Sequence, residues 1–267
     1  MTDTTEPDHA EPHHVVLLPG MLCTEQLWAG VVTQFPRRAR IHHAVLERNS
    51  ISSIANNILA SAPPKFTVIG LSLGGIVAMH LATVAPQRIT GLALLSTNAR
   101  SPRPDQFRGW QEAATRLDNG ASAVSEQQRL LSQLVSTHSL TADPTLASRV
   151  LAMAQDTGEE RLRAQLHAQE SRIDYSDALR HIRCPSLVLA AEQDALCGVQ
   201  TMRDIAAQLP ESRFEIVPES GHLSPLERPD TIGHLLSRWL TDTRKSEPTE
   251  TETEADAQPQ MLTYAAH

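Results

Sequence analysis

What most constrains this 267-residue chain is a unit in which an apolar run, a glycine-flanked serine and a helical pattern follow without a gap. Phe66-Thr67-Val68-Ile69 is a short β-favouring run, and Ile76 to Val84 carries helical patterning closed off at Pro86. Between them, Gly70-Leu71-Ser72-Leu73-Gly74 places a serine with glycines two residues to either side, the G-x-S-x-G pattern of a nucleophile on a strand-to-helix turn. Only small neighbours let strand and helix pack that closely around a strained residue. The turn also aims the hydroxyl above the sheet, with a helix N-terminus beneath it. Five-residue patterns of common residues recur by chance. The flanking strand and helix are the context that gives this one meaning.

The rest of the chain repeats the alternation. Buried-strand signals lie at His14–Leu18, Thr90–Ser96, Pro185–Ala190 and Arg213–Val217, with a weaker one over Arg40–Val45. Helical spacing covers Ser50–Ala60 (Ser50 as N-cap), Leu73–Ala85, Val199–Leu209 and Asp230–Leu240. Strands alternating with helices predict an α/β fold, a mostly parallel sheet with helices on both faces. Residues 100–180 break the pattern, with helical stretches at Phe107–Leu117, Ala121–Val135, Pro144–Gln155 and Glu159–Gln169 and no strand signal. That predicts a helical cap inserted between two strands, over the sheet edge where open α/β folds bind ligands. The core is then 14–99 plus 181–240.

Charge separates the ends from the body. Residues 1–13 carry Asp3, Glu6, Asp8 and Glu11 and no Lys or Arg, while 241–267 carry six acids against Arg244 and Lys245. The remaining 21 acids face 21 bases, so the net charge of -8 belongs to the ends. Both ends are expected to be disordered acidic tails, and a neutral body argues against nucleic-acid binding. No apolar run is long enough for a membrane span, and the N-terminus lacks a signal pattern, so the expected location is cytoplasmic. Three cysteines without metal spacing predict free thiols rather than disulfides. No cofactor or metal is expected, and the chain is expected to be a monomer or a homodimer.

A serine hydroxyl needs a base to take its proton, and the base needs a third group to hold its tautomer. On a strand–turn–helix nucleophile the chain order is serine, acid, histidine. Asp194 follows the strand ending near Ala191, and His222 follows the last strand in Pro218-Glu219-Ser220-Gly221-His222. Glu192 is the competing acid, but it sits nearer the strand and has less freedom to reach the histidine. Charge building on a carbonyl oxygen requires amide donors. Leu73, after the serine, is one, and Met21 in the loop after the first strand is the other. Trp28 and Cys23 are candidates for the pocket. The cap holds few aromatics (Phe107, Trp110, Tyr175), which favours a modest aliphatic or polar acyl group.

The blocks LLPGM, FTVIGLSLGGIVAMHLA, CPSLVLAAEQD and IVPESGHLSPLERPDTIGHLLSRWL, in this order, resemble the α/β-hydrolase superfamily over residues 14–240. The resemblance is to its small capped bacterial esterases and lactonases, such as pimeloyl-carrier-protein methyl ester esterases and 3-oxoadipate enol-lactone hydrolases. It implies Ser72 as nucleophile, Asp194 as acid, His222 as base, and Met21 and Leu73 as amide donors. The implied substrate is a small ester, thioester or lactone, free or held on a carrier protein. Pro19-Gly20 stands where many relatives carry His-Gly, which affects how that loop is braced and leaves the three residues intact. Acyl transfer, perhydrolysis and carbon–carbon cleavage use the same triad, and a ligand receptor could keep the fold without turnover. His13-His14 and His42-His43 point to opposite faces of a strand, which disfavours joint metal ligation. His80 is read as a packing residue. Arg172 and Asp174 are read as a cap-to-core ion pair, with a carboxylate-binding arginine as the alternative.

Overall fold

Apolar runs bounded by turn residues become the strands of one sheet. The computed structural model describes residues 13–245. The strands are β1 (His13–Leu18), β2 (Ala39–His43), β3 (Phe66–Leu71), β4 (Ile89–Leu95), β5 (Ser186–Ala191) and β6 (Ser212–Val217). They lie in the order β2-β1-β3-β4-β5-β6, and every pairing is parallel. β3 and β5 are buried along their whole length, whereas the edge strand β2 has no buried residue and β6 only its last, Val217. That contrast is why the central strands read as continuous apolar runs and β2 as a weak one.

Helices cover both faces. In chain order they are α1 (Ala29–Val32), α2 (Ile51–Ser61), α3 (Leu73–Val84), α4 (Pro104–Asp118), α5 (Ala123–Leu134) and α6 (Thr137–Ala142). There follow α7 (Leu146–Glu170), α8 (Ser176–Leu179), α9 (Val199–Gln208), α10 (Ser224–Glu227) and α11 (Pro229–Lys245). The period-two alternation of strand side chains splits the core. Val16, Leu18, Val68, Leu94 and Val188 pack under α2, α3 and α9. Val15, Leu17, Ile69, Leu95 and Leu189 pack with Val31, Leu236 and Trp239 on the other face. Five helices, α4 to α8, lie between β4 and β5 in the chain. A smaller apolar cluster joins α4, α5 and α7 through Ala113, Leu117, Ala123, Ala154 and Leu166, and includes Leu22 from the loop after β1.

Several boundaries differ from the sequence reading. The two helices expected over 144–169 form one run, α7, broken at Gly158, whose φ of 71° and ψ of 171° are non-helical. α11 continues past Leu240 to Lys245, because Thr243 is buried and the Asp242 carboxylate accepts from Arg213 at 2.7 Å. Residues 241–245 are therefore helix rather than tail, and β1 begins one residue early, at His13. The rest of the tails expected over 1–13 and 241–267 lies outside the described residues. Among the described residues, no helix is long and apolar enough to cross a membrane.

Candidate active site

Ser72 occupies the junction of β3 and α3 with φ 55° and ψ -115°, a backbone region costly for any residue with a side chain. Its surroundings explain the glycines. A Cβ on Gly70 would come within 2.7 Å of the Gly75 nitrogen, and one on Gly74 within 2.6 Å of the Pro19 carbonyl oxygen. The turn is thus packed directly against the loop that follows β1. It is further fixed by the Thr97 hydroxyl, which donates to the Ser72 carbonyl at 2.7 Å, and by the Ser72 amide, which donates to Leu95 at 3.0 Å. Among the described residues, the non-glycine positions with positive φ are Leu22, Ser72, Ser96 and Glu219. They follow β1, β3, β4 and β6 respectively, all at the carboxyl ends of the strands. Backbone strain is concentrated on one rim of the sheet.

On that rim the structure brings Asp194 and His222 together. Nδ1 of His222 lies 3.0 Å from both Asp194 carboxylate oxygens, and both residues are buried. Burial would raise the Asp194 carboxyl. The His222 charge and hydrogen bond, with the Cys197 and Leu196 amides, outweigh it and hold the group below its ordinary value. Those amides donate to Oδ1 at 2.9 and 2.8 Å. Glu192 does other work: its carboxylate accepts from the Glu219 amide at 2.8 Å, bracing the loop that carries His222. Ser72 and His222 line one cavity of about 500 Å³, with no hydrogen bond between their side chains.

Met21 lines the same cavity, and Leu73 is the first residue of α3, where a backbone N–H has no acceptor within the helix. Trp28 and Cys23, expected near the pocket, are not among its lining residues. Both are buried with β1 and β3 residues, because the short helical turn at 25–28 points its apolar side into the core. Burial also pushes the Cys23 thiol up to about 12. The cavity's remaining walls come from α4, α5 and α7, including Trp110, Gln127, Leu130 and Leu166, and from Cys197 after β5.

Two supporting residues were not legible beforehand. Glu227 is buried in α10 and accepts from the amides of Gly221 (2.9 Å) and Ser136 (3.0 Å), tying the His222 loop to the end of α5. Gln165 of α7 accepts from the Leu22 amide and donates to the Leu46 carbonyl, each at 3.0 Å, so α7 clamps the loop that holds Met21. Gln165 is a polar residue of a long amphipathic helix and Glu227 ends a four-residue one, and in neither does the sequence show that the side chain turns inward.

The other candidates fall into place. His14 and His42 hydrogen-bond across strands at 3.0 Å, and His80 meets the Tyr175 hydroxyl at 3.1 Å. Arg172 and Asp174 do not pair. The Asp174 carboxylate instead accepts from the Ser176 amide at 2.8 Å at the start of α8, while Arg172 donates to Gln106 and Gln169 and lines the cavity. Asp194, Cys197 and His222 place ligand-type atoms within 4.8 Å of one another. A metal would need a thiolate. Burial, and then the neighbouring Asp194 charge, push the Cys197 thiol upward, and the carboxylate is already engaged. The trio suits a His–Asp pair beside a neutral thiol better than a metal.

Comparison with known proteins agrees with this architecture. A Shigella flexneri protein named as a candidate carbamate hydrolase, RutD, is 26% identical over 255 residues, covering 88% of this chain and 94% of that protein. A thermophilic esterase from Thermogutta terrifontis superposes with a TM-score of 0.78 at 22% identity, over 88% of this chain and 91% of its own. The enol-lactonase from Burkholderia xenovorans LB400 gives the same TM-score at 19% identity, over 88% and 94%. At those identities the two structures speak for the fold. The family model described as "alpha/beta hydrolase fold" matches residues 51–229, from the helix before β3 to the loop carrying His222 and the start of α11. With the parallel sheet and the strained serine turn, that match makes the chain a member of the alpha/beta hydrolase fold family.

Proposed function

We propose that this protein is a serine hydrolase that cleaves a small carboxylic ester, thioester or lactone through an acyl-enzyme. The carrying observation is the buried His222–Asp194 contact, opening on the cavity that Ser72 enters from its strained turn. With Nδ1 donating to Asp194, Nε2 is left as an acceptor for the Ser72 proton. The Ser72 oxygen then adds to the substrate carbonyl carbon while its proton passes to Nε2. The Met21 and Leu73 amides take the oxyanion. Collapse breaks the bond to the alcohol, thiol or ring oxygen, which leaves with the proton from His222. Water, giving a proton to the same nitrogen, attacks the acyl-enzyme and releases the acid and Ser72. The carbamate hydrolase name of the RutD relative concerns an acyl group open to the same attack, which keeps carbamates on the substrate panel.

Ser72→Ala is the test. Its circular dichroism and melting should stay close to those of the unchanged chain, while ester hydrolysis falls by at least about 10^4-fold. Hydrolysis retained by the variant would reject Ser72 as nucleophile. Absence of turnover by the unchanged chain across esters, thioesters, lactones and carbamates would shift the reading to acyl transfer or ligand sensing.

A further inference from the structure

The cavity above Ser72 is lined by four arginines, Arg103, Arg116, Arg129 and Arg172. Three have acidic partners. Arg103 meets Asp105 at 3.0 Å, Arg116 meets Glu126 at 2.7 Å, and Arg129 lies 3.7 Å from Glu126. Arg172 has none among the described residues, although it is only 6% exposed. Its Nη1 and Nη2 donate to the carboxamide oxygens of Gln169 (3.2 Å) and Gln106 (2.8 Å), and its Nε has no acceptor. Burial, with the like charge of Arg103 nearby, lowers its pKa from the ordinary value. A buried guanidinium without a counter-charge is costly unless something supplies one.

The setting is built rather than accidental. The guanidinium carbon lies over the Trp110 ring, 5.2 Å from its centroid, a cation–π contact that helps hold it in place. Gln127, 1% exposed and also lining the cavity, has a side-chain nitrogen with no acceptor. Two buried donors thus lack acceptors around one cavity. Cys197, whose thiol lies within 4.8 Å of ligand-type atoms of Asp194 and His222, lines the same cavity as Arg172. Part of the wall is aliphatic, with Leu130, Leu134, Leu162 and Leu166, and of the carboxylates that also line it, Asp105 and Glu126 are taken up by Arg103 and by Arg116 and Arg129, leaving Glu112.

We propose that Arg172 receives a carboxylate of the substrate, so that the enzyme acts on esters or lactones whose acyl chain carries a second, ionised carboxyl group. A planar guanidinium matches a carboxylate through parallel N–H bonds, and the Gln106 and Gln169 oxygens hold it in register. The carboxylate would supply the missing counter-charge and orient the acyl chain along the aliphatic wall, with its carbonyl at Ser72. This rests on the hydrolase reading for the reaction, but not for the binding.

The experiment compares monomethyl glutarate with methyl 5-methylhexanoate, whose branched end replaces the carboxylate by methyl groups. The unchanged chain should favour the anionic ester in kcat/KM, and Arg172→Met should reduce that preference about 10- to 150-fold. A preference left unchanged by the substitution overturns the proposal. If Arg172→Met fails to fold, the unchanged chain still decides, because a preference for the neutral ester contradicts the proposal outright. Calorimetry with glutarate on Ser72→Ala, with and without Arg172→Met, reads the subsite independently of turnover. Binding that needs Arg172, with neither ester hydrolysed, would leave the carboxylate site standing and overturn the hydrolase reading instead. Binding of inorganic phosphate in place of glutarate would overturn the choice of carboxylate.

Discussion

Ser72, His222 and Asp194 are held in place partly by residues that do not line the cavity. Glu227 is the clearest example, a buried carboxylate whose oxygens take up the Gly221 and Ser136 amides. Gly221 has no room to move, since a Cβ there would stand 2.7 Å from the Ser136 nitrogen. Glu227→Ala leaves both amides without an acceptor and should lower the unfolding free energy by about 2–6 kcal/mol, at about 1–3 kcal/mol for each orphaned group. Glu227→Gln keeps an oxygen in reach of both and should recover most of that loss. Urea unfolding of the two variants checks this, and equal stability of both would show that the carboxylate braces nothing. The placement of Ser72 on a strained turn and of Asp194 and His222 after strand ends was legible in sequence, because such a turn demands glycines at fixed offsets and the apolar runs mark where the strands stop. Glu227, Gln165 and the isolation of Arg172 were not. Which way such a polar side chain turns depends on tertiary packing.

Among the elements, α7 illustrates what local pattern can and cannot say. Its two halves read as separate helices over 144–155 and 159–169, and the structure keeps the break at Gly158 while joining the run. A Cβ at Gly158 would meet nothing within 4 Å, so the glycine is there for its φ of 71° alone. Gly158→Ala should therefore lower stability by about 1–3 kcal/mol through backbone strain without any clash. Thermal unfolding reads this directly, and an unchanged or raised midpoint would mean that the bend is not required. Central strands announced themselves as apolar runs, being buried on both faces, while β2 did so weakly because an edge strand is half exposed. The short helices α1, α6, α8 and α10 gave no signal, since four to six residues are too few to display a period.

Across the whole molecule, one division organises the chemistry. The parallel sheet gathers Ser72, Asp194 and His222 at the carboxyl ends of β3, β5 and β6, and strains the backbone there. The segment between β4 and β5 supplies much of the cavity wall and, in Arg172 just after α7, the group we assign to selecting the acyl chain. Sequence order alone reveals the first half of that arrangement, because the fold dictates where strand ends meet. The second depends on which side chains of α4, α5 and α7 face inward. The central claim is that Ser72 is the activated nucleophile of a single site. Its most direct measurement is intact mass and peptide mapping after exposure to a fluorophosphonate. The account predicts one adduct, on Ser72, lost in Ser72→Ala and strongly slowed in His222→Ala. An adduct on another residue, or none on the folded chain, would contradict it.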